Sequence, residues 1–520
     1  MAAPLGITGV STAPIDWGVP QLSFNNFTKV APAMPSLVRN QTYRFVDAVT
    51  YMLPKHTLTF GAEVRRIENN TASDPTPEGL FSFSGLVTGL DFADFLLGLP
   101  DSTNVRFGTP SNYFRSWGTA GYASDDWRAR SDFTLQFGVR YEFFTPPTEL
   151  YGHLANLDFD PAASQVALVL PGQAAPFSGA LPNSLIRPGY NNWVPRIGIA
   201  WRPPIKALQA RHSTVVRAGF STFYNESIYT QLLSELANQP PWSTSELRIT
   251  GAGDVLTLEN GFPAAVAGRN TIQNTYAVNP NYRVGYAQIW NFSVETNVAN
   301  NTALVVTYTG TKGTNLDLLY APNRTVPGSL SPTGPVANAG DFIYDTSGAN
   351  SIYNSLQVRV QKRLSHGIMI NGTYTFAKSI DDASSIGGVI GTSAANVGSG
   401  GIFATRADQI CNPNLPASDR APLDFFNTSC FVVPPAGQLG NAARNTITGP
   451  GMFTWNAQFG KTIPFGKDHE HRVDLRWEIT NVTNTPNLTG LATLVNSTTF
   501  GQVAGASAMR AMNVVTRFTF

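Results

Sequence analysis

The sequence of 520 residues is poor in charge and contains no long apolar run. Charged residues make up 13% of the chain, about half of the roughly 25% that is typical of soluble domains. The net charge is +1, which provides no basic field, so we predict no nucleic-acid partner. No stretch reaches the ~18–20 consecutive apolar residues of a transmembrane helix. A low content of charged residues together with the absence of a long apolar run is expected when one face of many β-strands contacts hydrocarbon.

The sequence is also poor in cysteine and in catalytic motifs. Cys411 and Cys430 are the two cysteines of the chain, and we predict a disulfide between them, with two free loop thiols as the alternative. There is no glycine-rich phosphate loop followed by Lys-Ser/Thr. The triplet His469-Glu470-His471 lacks the i, i+4 helical spacing of a zinc protease. We therefore expect no metal, no cofactor and no enzyme activity.

The chain ends in an extended segment whose two faces differ in polarity. Every second side chain from Met512 to Phe520 falls on one, mostly apolar face, because strand side chains alternate. As an exposed edge in a soluble sheet, such a strand would promote aggregation. It is stable where its apolar face meets lipid and the sheet closes on itself. We therefore predict that Phe518 and Phe520 belong to a barrel-closing C-terminal strand.

Six pairs of alternating segments precede this strand, with mostly short turns within pairs and long connections between pairs. The pairs are residues 42–53 with 56–66, 114–128 with 132–144, 193–202 with 214–225, 286–298 with 302–314, 353–364 with 368–380, and 452–464 with 471–483. Residues 21–27 add one possible strand at the start. The prediction is an all-β, antiparallel transmembrane β-barrel portion of about fourteen strands, with short periplasmic turns and long extracellular loops.

The segment 471–483 indicates which face points inward. Arg472, Asp474, Arg476 and Glu478 alternate with apolar residues. A basic residue facing lipid costs ~2–4 kcal/mol at mid-depth, so we predict that these four charges face the lumen. About ten to twelve residues at ~3.3 Å each, tilted by ~40°, cover a ~25 Å apolar band. Strands of soluble sandwiches are nearer five or six residues.

Several stretches resemble TonB-dependent outer-membrane receptors, and in particular their Oar-like branch. They are residues 125–128 (DDWR), 133–142 (FTLQFGVRYE), 55–63 (KHTLTFGAE), 440–445, 449–451 with Trp455, 476–484 (RWEITNVTN), 500–501 and the terminal Phe520. The resemblance implies a receptor that binds a scarce, bulky solute with its outer loops. In that family the solute enters when the TonB complex pulls on a plug inside a barrel of about twenty-two strands.

No plug domain and no signal peptide are visible in the sequence. We therefore expect residues 1–520 to be a single β-barrel domain, the C-terminal part of a longer receptor in the cell outer membrane. Its expected partners are outer-membrane lipid, the barrel assembly machinery through the C-terminal strand, an unknown solute, and the TonB complex only if a plug segment is supplied elsewhere.

Two other hypotheses remain open at the level of sequence. One is a passive porin-like channel of about fourteen strands, in which the first and last strands pair. The other is a soluble extracellular all-β binding protein or carbohydrate-active enzyme. The soluble protein would pack its apolar residues into a dry core and carry the Arg472–Glu478 charges outside.

Overall fold

The structure is a computed structural model. It describes residues 7–32, 36–108, 111–204, 214–250, 255–260, 262, 272–299, 301–323, 335–336, 338–365, 368–381, 388–389, 396–397, 405–435, 440–443, 446–466, 471–495 and 497–520. Several sequence predictions lie outside these residues. The sequence predicts turns at residues 299–301, 365–367 and 466–468 and a flexible linker at residues 387–401, of which residues 300, 366–367, 467–468 and most of 387–401 lie outside the described residues. The first two residues of the His469-Glu470-His471 triplet and residues 444–445 of the receptor resemblance also lie outside them.

Thirteen long strands of the described residues form one antiparallel sheet, in which each strand pairs with the next along the chain. They are β1 (Leu37–Met52), β2 (His56–Ala72), β3 (Ser111–Arg130), β4 (Phe133–Phe144), β5 (Trp193–Trp201), β6 (Thr214–Tyr224), β7 (Tyr286–Ala299), β8 (Thr302–Tyr320), β9 (Ile343–Ser365), β10 (Ile368–Asp381), β11 (Asn456–Phe465), β12 (His471–Thr480) and β13 (Ala511–Thr519). All six predicted pairs and the C-terminal strand are present, which confirms the predicted fold class.

The two ends of the sheet differ in the length of their connections. At one end the pairs β1–β2, β3–β4, β7–β8, β9–β10 and β11–β12 are joined by short turns, and β5–β6 by a connection of twelve residues. At the other end the connections are long, and in the described residues all but the one between β8 and β9 carry short helices or strands of their own. In the part of the chain that the structure describes, no helix is long and apolar enough to cross a membrane.

The possible strand at residues 21–27 forms, but the prediction that it belongs to the barrel is wrong. Gln21–Phe24 pairs in parallel with Thr76–Phe83 in a separate four-stranded sheet. Phe24 stacks on Phe83 with ring centroids 5.6 Å apart, so its aromatic side chain packs in a small core of the loops rather than facing lipid. In the described residues the main path of the sheet therefore has thirteen long strands, joined by three short strands from the loops, where about fourteen barrel strands were expected.

The long connections form a compact layer, here called the loop cap, above the long-connection end of the sheet. Its helices are α1 (Asp91–Leu97) and α2 (Ile228–Ala237), with short 3-10 turns at Pro14–Asp16, Ala417–Asp419 and Thr428–Cys430. Its short strands are Gln21–Phe24, Thr76–Phe83, Ser102–Gly108, Thr148–Glu149, Asn156–Phe159, Val166–Val169, Ala174–Ala175, Gly179–Ala180, Ser243–Ile249, Tyr276–Val278, Gly388–Val389, Asn396–Val397, Thr405–Arg406, Asp408–Gln409, Phe431–Val432, Leu488–Leu491 and Val503–Ala506.

The apolar cores of the described residues lie in this loop cap. Leu232, Leu233 and Leu236 of α2 are fully buried in the largest core, together with Val278 and other loop residues. The spacing of these leucines places them on one face of a short helix, as expected for a helix that packs on its neighbours. In the described residues the sheet strands contribute few of the buried apolar side chains, whereas the hypothesis of a soluble all-β protein predicts a dry core between its strands.

The two edges of the sheet are open in the described residues. All sixteen residues of β1 are exposed, and its described strand partner is β2. The described partner of β13 is β12. Both edge strands run from the loop-cap end toward the short-turn end. The segments next to the two edge strands contact each other, because Ser497 Oγ of the loop before β13 donates a hydrogen bond of 2.9 Å to Asn26 Oδ1 of the segment before β1.

Candidate functional site

Pairing register divides the sheet into one polar and one apolar face. On β3, Trp117 and Trp127 lie ten residues apart on the apolar face. At ~3.3 Å per residue and a tilt of ~40°, this spacing covers ~25 Å, the height of an outer-membrane apolar band. The two tryptophans therefore have the spacing of the two interfacial girdles, with exposed Phe60 and Phe137 between their levels.

Glu63 is the centre of an inner ion-pair cluster on the polar face. It is only 6% exposed, and its carboxylate contacts Arg44 at 2.7 Å, Arg140 at 2.9 Å and Arg65 at 3.3 Å. The cluster continues through Arg140 to Glu142 at 2.6 Å and through Arg65 to Glu226 at 2.7 Å. Three arginines and three glutamates thus compensate one another across β1, β2, β4 and the segment after β6.

Gly61 allows an aromatic side chain to lie flat beside this cluster. A Cβ atom at Gly61 would stand 2.3 Å from the ring of Tyr122 on the neighbouring strand, so any larger residue would displace the ring. The Arg140 guanidinium lies over that ring, 5.6 Å from its centroid. Glycine at position 61 therefore allows the Tyr122 ring to lie against the sheet, and Arg140 packs on that ring.

Two adjacent depressions continue the polar face from the cluster. The first has a volume of about 460 Å³ and includes Glu63, Tyr122 and Arg140 in its lining. The second has a volume of about 490 Å³ and is lined by Gln136, Asn291 and Arg196, among others. Arg196 borders both depressions, and glycines on β4, β5 and β6 leave the second one open. Apolar side chains such as Ile289 and Val139 also line the depressions, and within them Arg196 offers a cation next to the neutral amides of Gln136 and Asn291.

The four charges predicted to face the lumen lie on this same polar face. Arg472 contacts Asp474 at 3.4 Å, and Arg476 contacts Glu478 at 3.7 Å. Thr462 of β11 donates a hydrogen bond of 2.7 Å to Asp474. Because these side chains are about half exposed, the pairs are loose and do not join the inner ion-pair cluster.

The opposite face of β12 and β13 carries the apolar side chains. Trp477 is 44% exposed and Phe518 57% exposed, on the same face as Phe520. Ile479, at the loop-cap end of β12, is buried. The predicted closing strand thus presents Phe518 and Phe520 outward, in the orientation the sequence indicates.

Cys411 and Cys430 are joined by a disulfide in the loop cap. Cys430 is fully buried in a small core with Phe426 and Phe431, and Phe500 of the last loop packs against this core. The bridge thereby joins two parts of the connection between β10 and β11, and the core connects that loop to the last one. In the described residues no group of three or more His, Cys, Asp or Glu side chains could hold a metal ion.

A pair of buried carboxyl groups lies where β8 and β9 extend into the loop cap, on the loop side of Ile352, the exposed large apolar side chain of β9 that is nearest the loops and marks the edge of its membrane-spanning part. Asp345 is 1% and Asp317 6% exposed. The Tyr276 hydroxyl donates to Asp345, and the Tyr282 hydroxyl donates to Asp317 at 2.9 Å. Burial first, and then the neighbouring Asp317 carboxyl, raise the pKa of Asp345 to about 9, so Asp345 holds a proton at neutral pH.

Raising the pH from about 5 to about 9 is expected to loosen the loop cap around Tyr276. The folded pKa of Asp345 lies above the unfolded value of about 3.9, so the folded cap binds a proton that the unfolded chain releases. The stability that this proton contributes to the folded loop cap is fully present below the unfolded pKa of Asp345, and it is lost as the pH rises through the folded pKa. Asp345→Asn should flatten this dependence. Hydrogen exchange at Tyr276–Val278, corrected for intrinsic rates, measures it, and an unchanged slope in the variant would contradict the assignment.

Sequence reasoning did not identify the inner ion-pair cluster or the buried carboxyl pair. The polar alternation of Glu63 and Arg140 is visible in the sequence, but their meeting depends on β3 lying between β2 and β4 in this register. The carboxyl pair joins β8 to β9 next to Tyr276, and no local pattern marks that contact. Trp242, in the connection between β6 and β7, donates a hydrogen bond of 3.0 Å to the Leu154 carbonyl and packs on the His153 ring.

An antiparallel sheet with an apolar outer face, a polar inner face and connections of unequal length at its two ends defines a transmembrane β-barrel protein. The chain matches the family described as "Outer membrane beta barrel domain" over residues 1–394 and 389–513. It therefore belongs to that family, and the outer membrane is its location. In such a barrel the polar face is expected to line the interior and the apolar face to contact lipid.

No curated protein matches the chain. Among solved structures, the outer membrane transporter YddB from Escherichia coli is 11% identical, with a TM-score of 0.46, over 96% of this chain and 58% of that one. The copper transporter OprC is 11% identical, with a TM-score of 0.41, over 92% and 49%. The ferric-catecholate import receptor Fiu from E. coli K12 is 11% identical, with a TM-score of 0.37, over 92% and 54%. The chain thus spans about half the length of these proteins.

Proposed function

We propose that this chain is the C-terminal barrel portion of a TonB-dependent receptor of the Oar-like branch. It serves binding and import of a bulky solute, with no catalytic step. The observation that carries the proposal is that β1 and β13, the two strands whose outer edges have no strand partner among the described residues, run in the same direction.

Strand direction argues against closure by these thirteen strands alone. If β1 and β13 paired directly, the junction would be parallel, whereas bacterial outer-membrane barrels have an even number of antiparallel strands. An odd number of further strands gives both edges antiparallel partners. The larger barrel of the receptor family, which the sequence resemblance implies, has room for such strands and for a plug.

The polar face suits a solute that carries hydrogen-bonding groups. The two depressions beside Arg196 supply a cation and amides, while the inner ion-pair cluster is already internally compensated. The proposed partners are membrane lipid, the barrel assembly machinery acting on β13 and its terminal Phe520, and the unknown solute. The TonB complex acts only through a plug that another segment supplies.

A cysteine cross-link between the sheet edges tests the receptor proposal against the porin alternative. Val46 of β1 and Val515 of β13 both face the interior. We expect Val46→Cys with Val515→Cys to give no cross-link in outer membranes, and the chain alone to give no steady ion conductance. Arg476→Cys with Val515→Cys is the positive control, because these residues are direct neighbours. A cross-linked, conducting chain would overturn the receptor proposal in favour of a porin.

A further inference from the structure

A groove crosses the lipid-facing side of the sheet over β2 to β6. Its volume is about 430 Å³, and its lining is almost wholly apolar. The outward side chains that line it are Leu58, Phe60, Ala123, Asp125, Phe137, Val139, Pro195, Ile197 and Phe220. Ala123 lies between Phe60 on β2 and Val139 on β4, and its small side chain leaves the depression. We call this feature the outer groove.

One end of the outer groove contains a buried carboxylate. Asp125 is only 6% exposed, although it lies on the apolar face. Its Oδ2 is 2.7 Å from Nδ1 of His56, and the His56 ring stacks on Trp127 with centroids 5.6 Å apart. The second oxygen, Oδ1, has no hydrogen-bond partner among the described residues. A buried carboxylate oxygen left without a donor is costly, so the groove provides an acceptor for a ligand.

The depth of Asp125 coincides with the headgroup boundary. Trp127, on the same face of β3 and two residues nearer the short turn, stands at the level of the interfacial aromatic girdle. Asp125 therefore lies just inside that girdle, where a phospholipid headgroup joins its acyl chains. Lys55, whose side chain is exposed, occupies the turn immediately before His56, so a cationic residue lies at the same end of the groove.

We propose that the outer groove binds one phospholipid with a primary-amine headgroup from the leaflet at the short-turn end. An acyl chain lies along the apolar walls, and the ammonium group donates a hydrogen bond to Asp125 Oδ1. The phosphate faces Lys55 and His56. A primary ammonium has hydrogen-bond donors for the carboxylate, whereas a quaternary choline has none, which sets the expected selectivity.

The number and type of lipids that the purified chain retains measure binding at the outer groove. The detergent-extracted chain is incubated with equal amounts of phosphatidylethanolamine, phosphatidylcholine and phosphatidylglycerol with matched acyl chains, and native mass spectrometry counts the bound lipids. We expect one ethanolamine lipid retained, about tenfold in preference to the choline lipid, as for one charge-assisted hydrogen bond. Asp125→Asn should remove most of this preference. Ala123→Phe should fill the groove and reduce retention of all three lipids.

The neighbouring carboxylate supplies the matched control. Asp126 follows Asp125 directly but faces the barrel interior, so Asp126→Asn should leave lipid retention unchanged. Heat-dependent mobility on a denaturing gel confirms that each variant is folded. In the unmodified chain, the ethanolamine lipid should also raise the melting temperature more than the choline lipid does. Equal retention of the three lipids by the unmodified chain, or equal losses in Asp125→Asn and Asp126→Asn, would overturn the proposal.

Discussion

Glu63→Ala is expected to reduce the barrel's free energy of unfolding by about 3–5 kcal/mol, the range for removing one partner of a buried ion pair. Glu63 is nearly inaccessible and contacts Arg44, Arg65 and Arg140. Its removal leaves three guanidinium groups facing one another without their common carboxylate. Urea unfolding of the chain in lipid vesicles, followed by gel mobility, measures the loss.

Glu478→Ala is the matched control for this substitution. Glu478 also lies on the polar face and pairs with an arginine, but at 3.7 Å and with a half-exposed side chain. Loose, solvated pairs contribute about 0–1 kcal/mol, so the control should unfold nearly as the unmodified chain does. Equal losses for the two glutamates would show that the buried cluster has no special role in stability.

Leu475→Arg is expected to destabilise the inserted barrel by about 2–4 kcal/mol, the cost of a basic residue on the lipid face at mid-depth. Leu475 lies in the middle of β12 on the apolar face, next to exposed Trp477. The adjacent Arg476 faces the interior and has only a loose ion pair. Arg476→Leu should therefore change stability by less than about 1 kcal/mol.

This pair of substitutions tests the orientation of the whole sheet, because Leu475 and Arg476 are sequence neighbours on opposite faces. Unfolding in vesicles and the yield of membrane-inserted protein are the two measurements. A neutral Leu475→Arg together with a costly Arg476→Leu would reverse the assignment of the faces, and the lipid-binding groove would then lose its basis.

The strands of the sheet were predictable because their signal is local. Alternation over ten or more residues, as in β4 and β12, is set by the two-residue repeat of the backbone. Strand ends were less predictable: β9 begins at Ile343, ten residues before the predicted start, because its first part pairs with Tyr276–Val278 inside the loop cap. Tertiary contacts, rather than alternation, extend the strand there.

The candidate site was predictable only in part. Alternation places the four charged residues Arg472, Asp474, Arg476 and Glu478 on one face, and they lie on one face in the structure. The inner ion-pair cluster instead depends on which strands are neighbours and in what register, since Arg140 reaches across β3 to Glu63. Asp125, on the apolar face, shows the same limit of prediction from alternation. Its alternation with Asp126 predicts opposite faces, but not that His56 would lie beside it.

The loop cap has a consequence for the order of assembly. The Asn156 side chain donates a 2.9 Å hydrogen bond to the Val278 carbonyl, which lies 122 residues further along the chain, with two whole strands of the sheet between them. Contacts between such distant residues form slowly, because a long stretch of chain must first be ordered. We therefore expect the surface that meets the cell's surroundings to form last, after the strands beneath it have brought the two ends of such contacts together.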